Sequence, residues 1–151
     1  TDRRSLAFEL IMVDRDILLA KIASIRKCLE RIRKVTRGDS QSLNDPDVQD
    51  IFVLNLQRAV QAAIDLAAHL VADERIGLPT NLKETFMLLE SRQIIDTQLS
   101  QRLQAMVGFR NIAGHDYQQL DLVILKSILE HRLIDLDEFV RVITQRYHGS
   151  P

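Results

Sequence analysis

The sequence predicts an all-α protein, an up-and-down bundle of four main helices and one short helix. Five glycines and three prolines in 151 residues are few for a fold that depends on many turns. Apolar residues recur at intervals of three and four along most of the chain, which is the period of an amphipathic helix. With 46% hydrophobic and 27% charged residues, the composition is that of a globular protein, so we expect one domain over residues 1–151.

The first two helices are predicted from their apolar stripes and from the segment that joins them. A helical pattern over residues 2–36 corresponds to about 50 Å of helix. The polar segment 38–45 is typical of a loop that ends where a helix starts, with Asp45 as the cap and Pro46 at the first helical position. The second helix, over residues 46–74, has apolar residues on more than one face, so we expect several neighbours to contact it.

Three further helices are predicted in the second half of the chain, over residues 80–91, 96–110 and 121–147. Thr80 or Asn81 is expected to cap the first of these, which is the short helix of the bundle. Asp96 or Thr97 is expected to cap the second. The third is expected to be one continuous amphipathic helix, because its apolar residues keep the same period throughout.

Composition also restricts the class of protein. No apolar run reaches the ~20 residues of a membrane helix or the form of a signal peptide, so we expect no membrane association. The single cysteine, Cys28, excludes an intramolecular disulfide and fits a cytoplasmic protein. Net charge is only −1, yet the segment 26–37 holds six basic residues and one acid, Glu30. This cluster is either a footprint for RNA or an acidic partner, or a solvated helix face.

Residues 110–117, Arg-Asn-Ile-Ala-Gly-His-Asp-Tyr, hold the densest set of reactive side chains. Arg110 can stabilise charge on a phosphate, and His115 can accept or donate a proton near neutral pH. Asn111 can orient the imidazole or a phosphate oxygen. The alternative is a polar helix end in which Arg110 pairs with Asp116 and His115 caps carbonyl oxygens. The spacing of Arg110 and His115 alone does not distinguish a catalytic pair from a polar helix end. A chain with four histidines and many arginines often shows this spacing by chance.

The flanking residues make the pattern more specific. The stretch resembles the Arg-polar-x(3–5)-His motif of HEPN domains. Its fuller form, Arg-Asn-x-x-x-His-x-Tyr after Met-Val-Gly-Phe at 106–109, is similar to the HepT toxin family within that superfamily. The resemblance extends to an Ala-rich helix with Asp and His at 62–69 and to a Pro-Thr segment with Phe-x-x-Leu at 79–89. It covers roughly residues 51–123 and implies a HEPN-like bundle.

The resemblance implies a metal-independent endoribonuclease without a cofactor. It would act as a homodimer in which the motifs of both subunits line one cleft. Arg110 and His115 carry over as the catalytic pair and Asn111 as their polar companion. The substrate would be RNA, with transfer RNA among the candidates, and the 2′-hydroxyl would attack the adjacent phosphate to leave a 2′,3′-cyclic phosphate and a 5′-hydroxyl.

The resemblance also implies a partner, an MntA-like nucleotidyltransferase antitoxin that adenylylates Tyr117. An AMP group there would add negative charge and bulk two residues from His115 and so block the cleft. Two alternatives remain at this point. Tyr117 can be a partly buried aromatic residue with a hydrogen-bonded phenol. The whole chain can be a non-catalytic helical dimer that serves as a binding module for the nucleotidyltransferase.

Two further pairs of polar residues stand four positions apart in predicted helices. Asp65 and His69 share one helix face, as do His131 and Asp135. Two ligands do not make a zinc site, so we expect no metal. Asp65 and His69 are instead expected to support the motif, together with Asp116.

Overall fold

The computed structural model describes the backbone of residues 3–110 and 122–148 and the side chains of residues 15–110 and 122–147. Within these ranges the secondary structure is entirely helical. The α-helices are α1 (Arg3–Thr36), α2 (Pro46–Asp73), α3 (Leu82–Ser91), α4 (Thr97–Met106), α5 (Leu122–His131) and α6 (Leu133–His148). Two 3₁₀ helices, Ser40–Asn44 and Val107–Phe109, precede α2 and follow α4. The predicted all-α bundle is confirmed.

The junction between α1 and α2 follows the local signals in the sequence. The Asp45 carboxylate accepts a hydrogen bond from the Asp47 N–H at 2.9 Å, and Pro46 is the first residue of α2. Both predicted roles are therefore confirmed. The 3₁₀ helix in this junction is an addition to the predicted loop, and it places Leu43 fully inside the core.

The prediction of one continuous helix over residues 121–147 is wrong. The structure has two helices there, α5 and α6, with a break at Arg132. The Asp135 N–H donates to the Arg132 carbonyl at 3.0 Å and closes the turn between them. The physical reason is that the two halves have different neighbours. α5 packs on the 3₁₀ helix Ser40–Asn44, whereas α6 packs on α1, α2 and α4. One straight helix cannot lie along both surfaces, and the break keeps Leu129 and Leu133 buried.

The bundle is built around α2. This helix contacts α1, α3, α6 and both 3₁₀ helices, which explains why its apolar residues occupy more than one face. α2 is long and apolar enough to cross a membrane by length and composition, but 61% of its most apolar window is buried inside the bundle. Its burial is that of a core helix.

The remaining helices pack around α2 with defined directions. Arg33 of α1 donates to the Asp137 carboxylate at 3.1 Å, and Arg26 donates to the Thr144 hydroxyl at 3.4 Å, so α1 and α6 run antiparallel. The Phe86 and Phe139 rings pack edge to face, with 5.8 Å between their centroids, and this contact joins α3 to α6. The buried apolar side chains of the described residues form one cluster.

Candidate functional site

α4 carries the chain towards the motif. The Asp96 side chain accepts a hydrogen bond from the Leu99 N–H at 2.7 Å, which confirms the predicted cap. Leu103 and Met106 are buried and fix the helix to the core. The sequence predicts that this helix continues to Arg110, but α4 ends at Met106 and the backbone tightens into the 3₁₀ helix.

The 3₁₀ helix Val107–Phe109 holds the start of the motif against the bundle. Val107 and Phe109 are half-buried and pack on the core cluster, and the turn contacts α2. The Arg110 N–H donates to the Val107 carbonyl at 3.1 Å, with Arg110 in right-handed helical backbone geometry. Arg110 is half-buried. An arginine in this setting is positioned by two apolar anchors.

The other members of the motif lie outside the described residues. These are Asn111, His115, Asp116 and Tyr117. Their predicted roles as polar companion, catalytic histidine, supporting acid and modified tyrosine stay predictions. The structure therefore places Arg110 alone among the predicted motif residues.

The two predicted supporting residues on α2 are both described. Asp65 accepts hydrogen bonds from the Gln61 amide at 2.9 Å and from the Lys21 ammonium at 3.5 Å. These contacts place the Asp65 carboxylate between α1 and α2, where its charge is balanced by Lys21. His69 lies one turn further along α2 and is half-buried.

The described residues contain no group of three or more His, Cys, Asp or Glu side chains that could hold a metal ion. The second predicted pair is separated by the break between α5 and α6. His131 is exposed beside Glu130, with 3.6 Å between the imidazole and the carboxylate, whereas Asp135 is buried in the first turn of α6. The spacing of four therefore does not place these two on one helix face.

The basic cluster at residues 26–37 divides between two faces of α1. Arg26 and Arg33 face α6, where Thr144 and Asp137 bind them. Lys27 and Arg31 face the other way and line a groove against α2, where they are joined by Arg58. Arg58 is a functional candidate that the sequence analysis missed, because only packing brings it beside residues about thirty positions earlier.

The buried thiol of Cys28 lies beside these cations. Burial raises the pKa of Cys28, while the charges of Arg58, Arg31 and Lys27 lower it by less. The thiol is therefore protonated at neutral pH, as suits a structural residue. The same three side chains bring positive charge to this groove.

Comparison with known proteins assigns the family. The family model described as "Ribonuclease HepT-like" matches residues 25–143. The chain is also similar to the mRNA nuclease HepT of Shewanella oneidensis. The two are 42% identical over 128 residues, which cover 85% of this chain and 96% of that protein.

Solved structures agree with this sequence relationship. A crystal structure of a toxin–antitoxin with AMP-PNP contains a chain that is 41% identical, with a TM-score of 0.79 over 85% of this chain and 98% of that one. The tri-AMPylated HEPN toxin of Shewanella oneidensis, in complex with MNT antitoxin, is 42% identical, with a TM-score of 0.78 over 85% and 97%. These similarities confirm the HEPN-like fold. The chain belongs to the HepT-like ribonuclease family of HEPN proteins.

Proposed function

We propose that this chain is the toxin of a toxin–antitoxin pair, a metal-independent endoribonuclease that a nucleotidyltransferase antitoxin neutralises. The observation that carries the proposal is the match of residues 25–143 to the HepT-like ribonucleases, because it spans the complete motif from Arg110 to Tyr117. The position of Arg110, anchored beside the core by Val107 and Phe109, supports a precise role for its guanidinium.

The proposed chemistry is transesterification within RNA. The imidazole of His115 moves the proton that leaves the 2′-hydroxyl or the proton that the departing 5′-oxygen acquires. The phosphorus–5′-oxygen bond breaks as the bond from the 2′-oxygen forms, which leaves a 2′,3′-cyclic phosphate. The guanidinium of Arg110 stabilises the additional negative charge on the phosphate oxygens. Asn111 orients the imidazole or a phosphate oxygen.

A homodimer completes the proposed site. One motif supplies one histidine, whereas cleavage uses a base for the attacking hydroxyl and an acid for the leaving oxygen. Two copies of His115 in one cleft supply both groups. We assign supporting roles to Asp116, Asp65 and His69. Of these, Asp65 acts through the α1–α2 contact that it makes with Lys21.

The proposed off-switch is adenylylation of Tyr117. The phenol oxygen attacks the α-phosphorus of ATP, pyrophosphate leaves, and the tyrosine retains the AMP. The added phosphate competes with the RNA phosphate for Arg110, and the nucleotide occupies the cleft. The AMPylated toxin of Shewanella oneidensis, which is bound to its antitoxin, supports this assignment. We place both partners and the RNA substrate, with transfer RNA as a candidate, in the cytoplasm.

The test is cleavage of total RNA in the presence of EDTA. Protein whose Tyr117 is shown by mass spectrometry to be unmodified is compared with His115→Ala and Arg110→Ala. We expect the parent to cleave RNA and each variant to have a cleavage rate lower by ~10³-fold or more. Each substitution removes a group that acts in the transition state.

Two outcomes of this experiment contradict the proposal. If the unmodified parent and the variants all leave RNA intact, the chain is the alternative, a non-catalytic dimer that binds the nucleotidyltransferase. If EDTA abolishes cleavage, the enzyme is a metal-dependent hydrolase.

A further inference from the structure

A basic groove runs between α1 and α2. It has a volume of about 430 Å³, and three cations line it: Lys27 and Arg31 from α1 and Arg58 from α2. All three side chains are exposed. Arg110 is not among the lining residues, so the groove is separate from the position of the motif arginine.

The three cations are uncompensated within the part of the chain that the structure describes. None of them forms an ion pair or a hydrogen bond with a carboxylate there, whereas Lys21 binds Asp65 and Arg33 binds Asp137. Their joint positive charge acts on the Cys28 thiol at the floor of the groove. Three unpaired cations around one opening make a site that attracts anions.

The one acid in the lining does not cancel this charge. Asp65 stands at the other end of the groove, about 10 Å from Arg58 along the axis of α2. Its carboxylate is already bound by Lys21 and by the Gln61 amide. The positive end of the groove is therefore free to bind a negative ligand.

The neutral residues of the lining favour a nucleic-acid backbone over an acidic protein. Ser24 and Gln61 supply a hydroxyl and an amide beside the cations, and such side chains contact phosphates and sugars. The lining has no aromatic ring or large aliphatic chain to serve as the anchor that protein interfaces use. Without rings there is no base stacking, so binding would not depend on RNA sequence.

We propose that the α1–α2 groove is a second RNA-binding site, in which Lys27, Arg31 and Arg58 bind the phosphates of a single strand. The inference rests on the proposed ribonuclease function, because it assigns a contact with the substrate outside the cleavage site. The groove contributes affinity for long RNA, and the motif contributes the chemistry.

The test compares two triple variants that lose the same charge. The groove variant is Lys27→Gln/Arg31→Gln/Arg58→Gln, and the matched control is Arg15→Gln/Arg75→Gln/Arg92→Gln, which removes three exposed cations that do not line the groove. The probe is a fluorescent single-stranded RNA with 2′-O-methyl groups, which lacks the attacking hydroxyl and is not cleaved. Binding is measured by fluorescence anisotropy over a series of salt concentrations.

The groove variant is expected to bind this RNA about tenfold more weakly, or weaker still, at low salt. The slope of log affinity against log salt is expected to decrease in magnitude by about 2, because each single-strand phosphate contact contributes about 0.7. The control variant keeps the slope of the parent. The charge-conserving variant Lys27→Arg/Arg31→Lys/Arg58→Lys keeps the affinity, and circular dichroism of each protein verifies the helical fold.

Several results would overturn the inference. They are parent-like binding by the groove variant, an equal loss in the control, or no RNA binding by the parent. Equal affinity of the parent for polyglutamate would show a general anion surface and would remove the assignment to RNA. A parent that binds the probe through the groove but does not cleave ordinary RNA would contradict the proposed function and leave the groove as an RNA-binding site.

Discussion

The Tyr147 hydroxyl donates a hydrogen bond to the Glu74 carboxylate and joins the last turn of α6 to the end of α2. Arg146 approaches the second oxygen of the same carboxylate at 3.5 Å. Burial, and then the hydrogen bond to Glu74, raise the pKa of Tyr147 to about 12. The contact closes the bundle between two helix ends that are far apart in sequence.

Replacing this tyrosine should change stability at alkaline pH. A folded pKa of about 12, against an ordinary value of 10.0, means that the neutral phenol stabilises the fold below pH 10 and that this contribution is lost between pH 10 and 12. Tyr147→Phe should lower the free energy of unfolding by about 1 kcal/mol at neutral pH. Urea denaturation should show a smaller difference in the free energy of unfolding between parent and variant at pH 12 than at neutral pH. A gap that does not depend on pH would contradict the assigned pKa.

The same sign of pH dependence is expected for Asp135, but at acid pH. It is buried in the first turn of α6, and its Oδ2 atom lies 3.8 Å from Arg132 without a hydrogen bond within the described residues. Burial raises its pKa more than Arg102 and Arg132 lower it. The stability that comes from the neutral acid is therefore present below pH 3.8 and lost as pH rises through the folded value.

Asp135→Asn removes this titration. The variant should gain stability relative to the parent as pH rises above about 4, because only the parent must ionise a buried carboxyl. Thermal unfolding of both proteins across this range measures the difference. A difference that stays constant with pH would show that the carboxyl titrates alike in the folded and unfolded chains.

The cap of α2 should contribute to stability through one hydrogen bond. Asp45→Ala leaves the Asp47 N–H without its side-chain acceptor and should cost about 1 kcal/mol. Asp47→Ala is a suitable control, since it removes an acid from the same helical turn but leaves the cap intact. Chemical denaturation of the two variants should rank Asp45→Ala as the less stable. Equal stability would argue that the N–H is satisfied by water.

Phe109 should affect catalysis without contacting RNA. It packs the 3₁₀ helix on the core and thereby fixes Arg110. Phe109→Ala should lower kcat by roughly tenfold or more, because small displacements of a catalytic group are costly. Phe109→Leu, which keeps an apolar anchor, should retain most of the activity. If Phe109→Ala is folded and fully active, the turn does not position the arginine.

The parts of the fold that follow from neighbouring residues were predictable. Asp45 and Pro46 mark the start of α2 because cap and first turn are adjacent in sequence. The break at Arg132 could not be predicted, because it depends on the 3₁₀ helix Ser40–Asn44, which packs on α5 from a distant part of the chain. The early end of α4 at Met106 likewise depends on how Val107 and Phe109 pack.

The same distinction applies to the candidate sites. The motif is visible in the sequence because eight consecutive residues carry it and the flanking segments resemble one family. The basic groove is not visible in the sequence, because Arg58 lies beside Lys27 and Arg31 only when α2 folds back along α1. A charge count along α1 also cannot distinguish Arg33, which Asp137 binds, from Arg31, which has no ion pair within the described residues.

We propose above that modification of Tyr117 switches this ribonuclease off. The most direct measurement compares RNA cleavage by unmodified chain and by chain in which mass spectrometry shows complete adenylylation of Tyr117, both in EDTA. We expect the unmodified chain to cleave RNA and the adenylylated chain to leave it intact. We also expect Tyr117→Phe to go on cleaving RNA after exposure to the antitoxin and ATP. Full activity of the adenylylated chain would contradict the switch, and an inactive unmodified chain would contradict the ribonuclease itself.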